Sequence, residues 1–284
     1  MKVLVLGASG MLGNTMLRVL SDNKELDVYG TVRSKAMKAL LPINISENII
    51  DDVDVAEFNL GALFKDTRPD VVINCIGSIN KNFSNTESVI QAISLNALLP
   101  HRLLKCCERF NSRLIHISTD CVYSGDKGNY KEEDITDPKD IYGESKHLGE
   151  IDRPYAITLR TSIIGHELNT SHGLLEWFLS QQEECNGYAK AIFSGLPTVI
   201  LAEVIRDYVI PNAGLSGLYN VAGPAINKYD LLKMIAKEYC KNITIKRDES
   251  FKIDRSLNAD KFRVATGYVA PDWSSLIKSM HNYN

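Results

Sequence analysis

Lys2-Val3-Leu4-Val5-Leu6-Gly7-Ala8-Ser9-Gly10-Met11-Leu12-Gly13 decides the fold of this 284-residue chain. The apolar run Val3 to Leu6 ends at a glycine, and helical character begins within a few residues. That is how a buried parallel strand passes into a crossover helix. Gly7 allows a tight exit from the strand, Gly10 lets the backbone approach a pyrophosphate, and Gly13 lets the helix pack on the sheet. The helix N-terminus then faces phosphate oxygens, so Gly7, Ser9, Gly10, Met11 and Leu12 are the expected cofactor residues of this turn. The G-x-x-G-x-x-G spacing differs from the G-x-G-x-x-G of many dehydrogenases, and its place between strand and helix carries the reading.

Working outward, strand-like runs at Asp27 to Val32, Ile49 to Val53, Val71 to Ile76, Leu114 to Ser118 and Ala156 to Arg160 alternate with helical patterns. Such alternation predicts an α/β fold, a Rossmann-type doubly wound parallel sheet. Arg33 stands 20 residues beyond Gly13, at the end of the second strand, where an acidic residue would accept from a free ribose 2′-hydroxyl. An arginine there pairs with a 2′-phosphate, which favours NADPH, with NADH as an alternative. Asp54 and Val55 are placed to meet the adenine, and Cys75, Ile76 and Gly77 to run under the cofactor. Asn85 to Arg109 reads as the longest helix, with a kink or break at Pro100.

After about Gly165 the pieces shorten: helix at Leu174 to Leu179, strand at Ala191 to Phe193, helix at Val199 to Tyr208, strand at Leu218 to Val221, helix at Tyr229 to Cys240, strand at Ile243 to Ile245. The expected division is a Rossmann domain over 1–164, with a return near 198–222, and a smaller interleaved C-terminal lobe over 165–284 that binds substrate. The polar stretch Ser124 to Lys139, punctuated by Gly125, Gly128 and Pro138, is the expected mobile loop.

With 44% hydrophobic and 24% charged residues and a net charge of −3, the composition is that of a soluble globular protein with no field for attracting nucleic acid. Met1 to Leu6 is too short for a signal peptide, and no apolar run reaches the ~20 residues a membrane helix needs, so a cytoplasmic protein without a membrane partner is expected. The 6 cysteines lack metal-ligand spacing and read as reduced and structural. The 6 histidines form no metal constellation either; His166 and His172, six apart, do not share a helical face. No metal is expected.

The chemistry is carried by Ser118-Thr119-Asp120 and, 23 residues beyond Thr119, Tyr142-Gly143-Glu144-Ser145-Lys146. Tyr142 and Lys146 share a helical face, so the ammonium can stabilise a developing phenolate and hold the nicotinamide ribose. Thr119 would hydrogen-bond a carbonyl oxygen as it becomes an alkoxide. Thr119, Tyr142 and Lys146 are thus the expected catalytic set for hydride delivery to a ketone.

These residues resemble the extended short-chain dehydrogenases/reductases, and within them the dTDP-4-dehydrorhamnose reductase (RmlD-like) family. The resemblance spans nearly the whole chain and includes Val72-Ile73-Asn74-Cys75-Ile76-Gly77, Asn96 to Leu103, Ser118 to Gly125, Leu159-Arg160-Thr161-Ser162, Gly195-Leu196-Pro197-Thr198 and Arg255-Ser256-Leu257-Asn258. It implies NADPH-dependent reduction of the C4 ketone of a nucleotide-linked 4-keto-6-deoxyhexose, in deoxysugar and cell-surface polysaccharide (O-antigen) biosynthesis. It further implies that Asn96, beside the cofactor, supports Lys146, often through water, and that Arg255 is a candidate for the substrate diphosphate. A homodimer is one partner arrangement left open. Cys121 stands where the family usually has Tyr, and Ile163 where Trp is frequent, so Asp120, Cys121 and Ile163 become substrate-side candidates. A UDP-linked 2-acetamido-2,6-dideoxy-4-hexulose is therefore the alternative substrate. Thr15 replaces the glutamate that some members use for a metal-linked dimer. Thr119 is followed by Asp120-Cys121 without the glutamate usual in dehydratases, which favours simple reduction. A non-catalytic NADP-binding regulatory subunit is the alternative of another class.

Overall fold

The computed structural model describes residues 1–79 and 85–283. Strands Lys2–Leu6 (β1), Asp27–Thr31 (β2), Ile49–Ile50 (β3), Val71–Asn74 (β4), Arg113–Thr119 (β5) and Ala156–Thr161 (β6) join Gly217–Asn220 in one seven-stranded parallel sheet. Its order runs from Gly217–Asn220 through β6, β5, β4, β1 and β2 to β3. From β1 the chain fills one side of the sheet with β2 and β3, then crosses back to β4, β5 and β6. The reversal between β1 and β4 opens a crevice at the carboxyl edge, the usual ligand position in this architecture. This is the expected Rossmann-type doubly wound fold.

The apolar alternation of β1 explains why the sheet is covered on both faces. Val3 and Val5 enter one hydrophobic cluster, Leu4 and Leu6 the other, and all four are fully buried. Burial of each such side chain contributes about 1.5–3 kcal/mol. The helix Met11–Ser21 (α1) follows the glycine turn and buries Leu12, Met16, Leu17 and Leu20. Gly7 takes a positive φ of 81°, and a methyl group on Gly13 would overlap the Gly7 carbonyl oxygen, so this helix reaches the strand only with glycine at both positions.

The expected long helix is three pieces: Thr86–Ala92, a π-helical turn Ile93–Leu98, and Leu99–Phe110. The irregularity lies before Pro100, which has no N–H to give to the Asn96 carbonyl. Gly149 packs against that carbonyl so closely that no side chain would fit.

Beyond β6 the strands are longer than their sequence suggests. Glu184–Phe193 pairs in parallel with Thr244–Asp254 and antiparallel with Ile226–Asn227. Ile163–Ile164 pairs with Leu196–Pro197. Helix Thr198–Val204 then packs on α1, and Gly217–Asn220 pairs with β6, which takes the chain back into the main sheet.

The stretch Ser124 to Lys139 is not the loose loop its composition predicted. Ser124 N–H donates to Asp137 Oδ1 at 2.8 Å, and the Tyr130 hydroxyl accepts from the N–H groups of Gly125 and Lys127 at 3.2 and 3.0 Å. Asn129 and Tyr130 N–H donate to Ser256 Oγ and O, both at 2.8 Å.

Candidate active site

A cavity of about 610 Å³ opens at the carboxyl ends of β1, β2 and β4. Gly7, Ser9 and Gly10 line it from the first turn, Arg33 from the end of β2, Asp54 and Val55 from beyond β3, and Cys75, Ile76 and Gly77 from beyond β4. A methyl group on Gly10 would meet only the Gly7 carbonyl, at an ordinary 3.5 Å. The protein's own packing therefore does not require glycine there, whereas the close approach of a phosphate would. Gly10 caps α1 without a side-chain hydrogen bond, so the first amides of the helix, those of Met11 and Leu12 among them, lack intrahelical partners. The Leu12 side chain points into the hydrophobic core and Met11 touches Gly173, so neither side chain lines the cavity.

Arg33 is exposed on the cavity rim and forms no hydrogen bond or ion pair with the described residues. The Asp54 to Phe58 segment is held by Arg102, which donates to the carbonyls of Val55, Ala56 and Phe58 at 3.3, 2.7 and 3.4 Å. Asn74 at the end of β4 accepts from Ile76 N–H at 3.1 Å and bonds His116 Nδ1 at 3.2 Å. Burial holds His116 well below the usual imidazole range, which keeps it neutral. Glu87 and Gln91 of the helix Thr86–Ala92 also line the cavity; no sequence motif marks them.

Asn96 stands behind the cavity wall. Its Oδ1 accepts from Ser78 N–H at 2.8 Å, and its Nδ2 donates to Ser78 O and Ser145 Oγ at 3.0 Å each. The side chain thus ties the segment after Gly77 to Ser145, one residue before Lys146, and makes no direct bond to the lysine.

Thr119 ends β5, and Tyr142 and Lys146 lie on helix Ile141–Leu148, whose first turn is capped by Asp140 accepting from Gly143 N–H at 2.7 Å. Gly143 lets this helix press on the turn Asp120–Val122, because any side chain there would overlap the Cys121 carbonyl. The Thr119 hydroxyl donates to Asp120 Oδ1 and accepts from Cys121 N–H, both at 3.2 Å. Burial pushes the Tyr142 phenol above its usual value, with Cys121 and Asp120 acting in the same direction and the Thr119 hydroxyl against it. The chief influences on the phenol do not include Lys146. Lys146 is itself brought down to about 8 by burial, opposed by Glu150 and Cys75, and its ammonium donates to Ile117 O at 2.6 Å.

Among the residues expected to face the substrate, Asp120 is raised by burial, and Arg255 and Lys228 oppose that rise. Arg255, distant in sequence, donates to Tyr123 O at 2.9 Å and Cys121 Sγ at 3.2 Å. Burial pushes the Cys121 thiol up to about 12, so it is an inert thiol. Ile163 lies in its short strand, half-buried against the main core. His166 bonds Glu176 at 2.7 Å and Tyr239 at 2.9 Å, and Thr15 bonds Thr198 at 3.1 Å.

Fold and site together are those of a Rossmann-type protein with a Thr/Tyr/Lys cluster at the carboxyl edge of its sheet. The chain belongs to the family described as the RmlD substrate binding domain, whose model matches residues 1–280. It is 26% identical, over 99% of both chains, to the dTDP-4-dehydrorhamnose reductase of Aggregatibacter actinomycetemcomitans. The dTDP-4-dehydrorhamnose reductase of Bacillus anthracis, solved in complex with NADP, superposes with a TM-score of 0.80 at 19% identity, covering 100% of this chain and 99% of that one. A relative of another kind, methionine adenosyltransferase 2 subunit beta of Xenopus laevis, is 27% identical over 52% of this chain and 41% of its own.

Proposed function

We propose that the protein is an NADPH-dependent reductase acting on the C4 ketone of a nucleotide-linked 4-keto-6-deoxyhexose in deoxysugar biosynthesis, of the dTDP-4-dehydrorhamnose reductase type. The observation that carries this reading is the approach of Thr119 and Tyr142 in a buried site whose lysine sits one turn along the same helix. The vacant space at Gly10 and the unpaired guanidinium of Arg33 fit the pyrophosphate and 2′-phosphate of NADPH. Residues 1–164, with the return near 198–222, would hold this cofactor, and 165–284 mainly the substrate. When bound, NADPH supplies the hydride.

The chain's own residues do the rest. Thr119 turns its hydroxyl from Asp120 to the carbonyl oxygen, and Tyr142, kept protonated by burial, gives its proton to the developing alkoxide. Lys146, one turn along the same helix, would hold the nicotinamide ribose and steady the resulting phenolate. Arg255 and Lys228 supply positive charge for the substrate diphosphate. Cys121 in place of an aromatic side chain leaves more room beside the sugar, which supports a UDP-linked 2-acetamido-2,6-dideoxy-4-hexulose as the alternative substrate.

The relationship to a methionine adenosyltransferase subunit favours a regulatory reading, but that role has no use for the Thr119, Tyr142 and Lys146 cluster. Exposed Ile93, Leu98 and Leu148 on two packed helices support a homodimer. Among the described residues no helix is long and apolar enough to cross a membrane, which accords with the cytoplasmic site we propose. The test is incubation with NADPH and dTDP-, UDP- and GDP-4-keto-6-deoxyhexoses, following nicotinamide absorbance. Turnover of one of them is expected; no turnover of any, with tight binding of another protein, would overturn the reductase reading.

A further inference from the structure

Glu150 lies one helical turn past Lys146, where the catalytic helix ends. Its carboxylate is almost fully buried and takes four donors: Ser118 Oγ at 2.8 Å, Arg160 Nε at 2.8 Å, Arg160 Nη2 at 2.6 Å and His147 Nδ1 at 3.3 Å. Consecutive residues of β5 therefore hold the two charges, Ile117 through its carbonyl to Lys146 and Ser118 through its hydroxyl to Glu150. The next residue is Thr119.

Arg160 carries the connection further. Its Nη1 donates to the Tyr123 hydroxyl, its guanidinium lies 5.1 Å from the centre of that ring, and Tyr123 stacks on Tyr130 at 4.2 Å. We propose that Glu150 is a positioning residue: clamped by Ser118 and Arg160, it fixes the end of β5 against the catalytic helix and places a buried carboxylate one turn past Lys146. This rests on the reductase reading only for the use to which Lys146 is put; the electrostatic relation stands without it.

The groups that bear on Lys146 are few. Glu150 favours its charge from the same helix, Cys75 does so from the segment after β4 but keeps its proton because burial raises it to about 12, and neutral His116 faces it from β5. Arg160 and His147 face Glu150, with Glu132 and Tyr123 beyond Arg160. Glu150 is thus the one ionised carboxylate among the chief influences on the lysine. Asn96, committed to Ser78 and Ser145, takes no part.

The test reads the Lys146 side chain by NMR titration of lysine-labelled protein, without cofactor or substrate, its signal assigned by loss in Lys146→Arg. Glu150→Gln keeps the shape and removes the charge, and should move the titration to lower pH by about one unit. Arg160→Gln, which removes the competing cation, should move it to higher pH; opposite shifts cannot arise from general loosening. Should Glu150→Gln not fold, Glu150→Asp, which withdraws the charge by one methylene, should move it the same way by less. An unchanged titration in a folded Glu150 variant overturns the proposal. In turnover, the alkaline limb of kcat/KM should follow the same shifts; an unmoved titration in a variant with full activity sinks this inference alone, and a moved titration in a protein whose unsubstituted form turns over none of the sugars sinks the reductase reading alone.

Discussion

Lys146 carries a burial cost that its partners offset only in part. Its descent from 10.5 to about 8 corresponds to roughly 3 kcal/mol lost from the native state whenever the amine is charged. Below about 8 folded and unfolded chains both hold the proton and the full cost applies; between about 8 and 10.5 the unfolded chain binds more protons, so stability rises with pH. Lys146→Met should therefore raise the urea midpoint at neutral pH, with the difference fading above pH 8, and a midpoint no higher than the parent's would refute this. Tyr142→Phe tests the partner group: turnover should fall by about a hundred- to ten-thousandfold while NADPH binding is nearly unchanged. Arg33→Ala should weaken NADPH about tenfold or more and leave NADH alone, because it removes a charge-assisted bond only the 2′-phosphate can make. The placement of these three residues was legible in the sequence because local spacing sets it: Arg33 follows the end of β2, and Tyr142 and Lys146 stand one turn apart on one helix. The partners of Asn96 were not, since Ser78 and Ser145 reach it from two other segments.

At the scale of elements, the glycine turn separates packing from binding. Gly13 meets backbone, so Gly13→Ala should destabilise the free protein by about 1–3 kcal/mol as an overpacked site does. Gly10 meets only the Gly7 carbonyl at an ordinary contact distance, so Gly10→Ala should cost less than about 1 kcal/mol of stability yet abolish NADPH binding. Thermal midpoints and cofactor titration on the two variants distinguish the effects; equal loss of binding and stability in both would defeat this division of roles. The alternation that revealed the parallel sheet is a property of strands buried on both faces. Thr244–Asp254 escaped because it is largely exposed and its Lys, Arg, Asp and Glu residues hide its pairing; only Ile243 to Ile245 read as strand. The loop after Val122 escaped for the opposite reason. Its glycines and charges suggest freedom, while the Tyr130 hydroxyl and Ser256 tie it down from positions that no local pattern connects.

Across the whole molecule, Asn220 joins the main sheet to the segment that carries Arg255. It closes the strand paired with β6, is fully buried, and donates through Nδ2 to Tyr130 O at 2.9 Å and Asn258 O at 3.1 Å. Its backbone N–H donates to Glu132 at 2.7 Å, so the loop, the sheet edge and the C-terminal segment meet at one residue. Arg255 reaches Cys121 from that segment, and its aim depends on where Ser256 to Asn258 are held. Asn220→Leu keeps the volume but withdraws a donor from one buried and one part-buried carbonyl, at a cost of about 1–3 kcal/mol. Because the cofactor cavity is built from β1, β2 and β4, far along the sheet from this strand, NADPH affinity should hold. Substrate KM should rise several-fold as Arg255 loses its fixed position. A variant that loses NADPH affinity in step with substrate affinity would mean that the lobe and the cavity respond as one body, and that Asn220 supports the whole fold rather than the substrate side of the cleft.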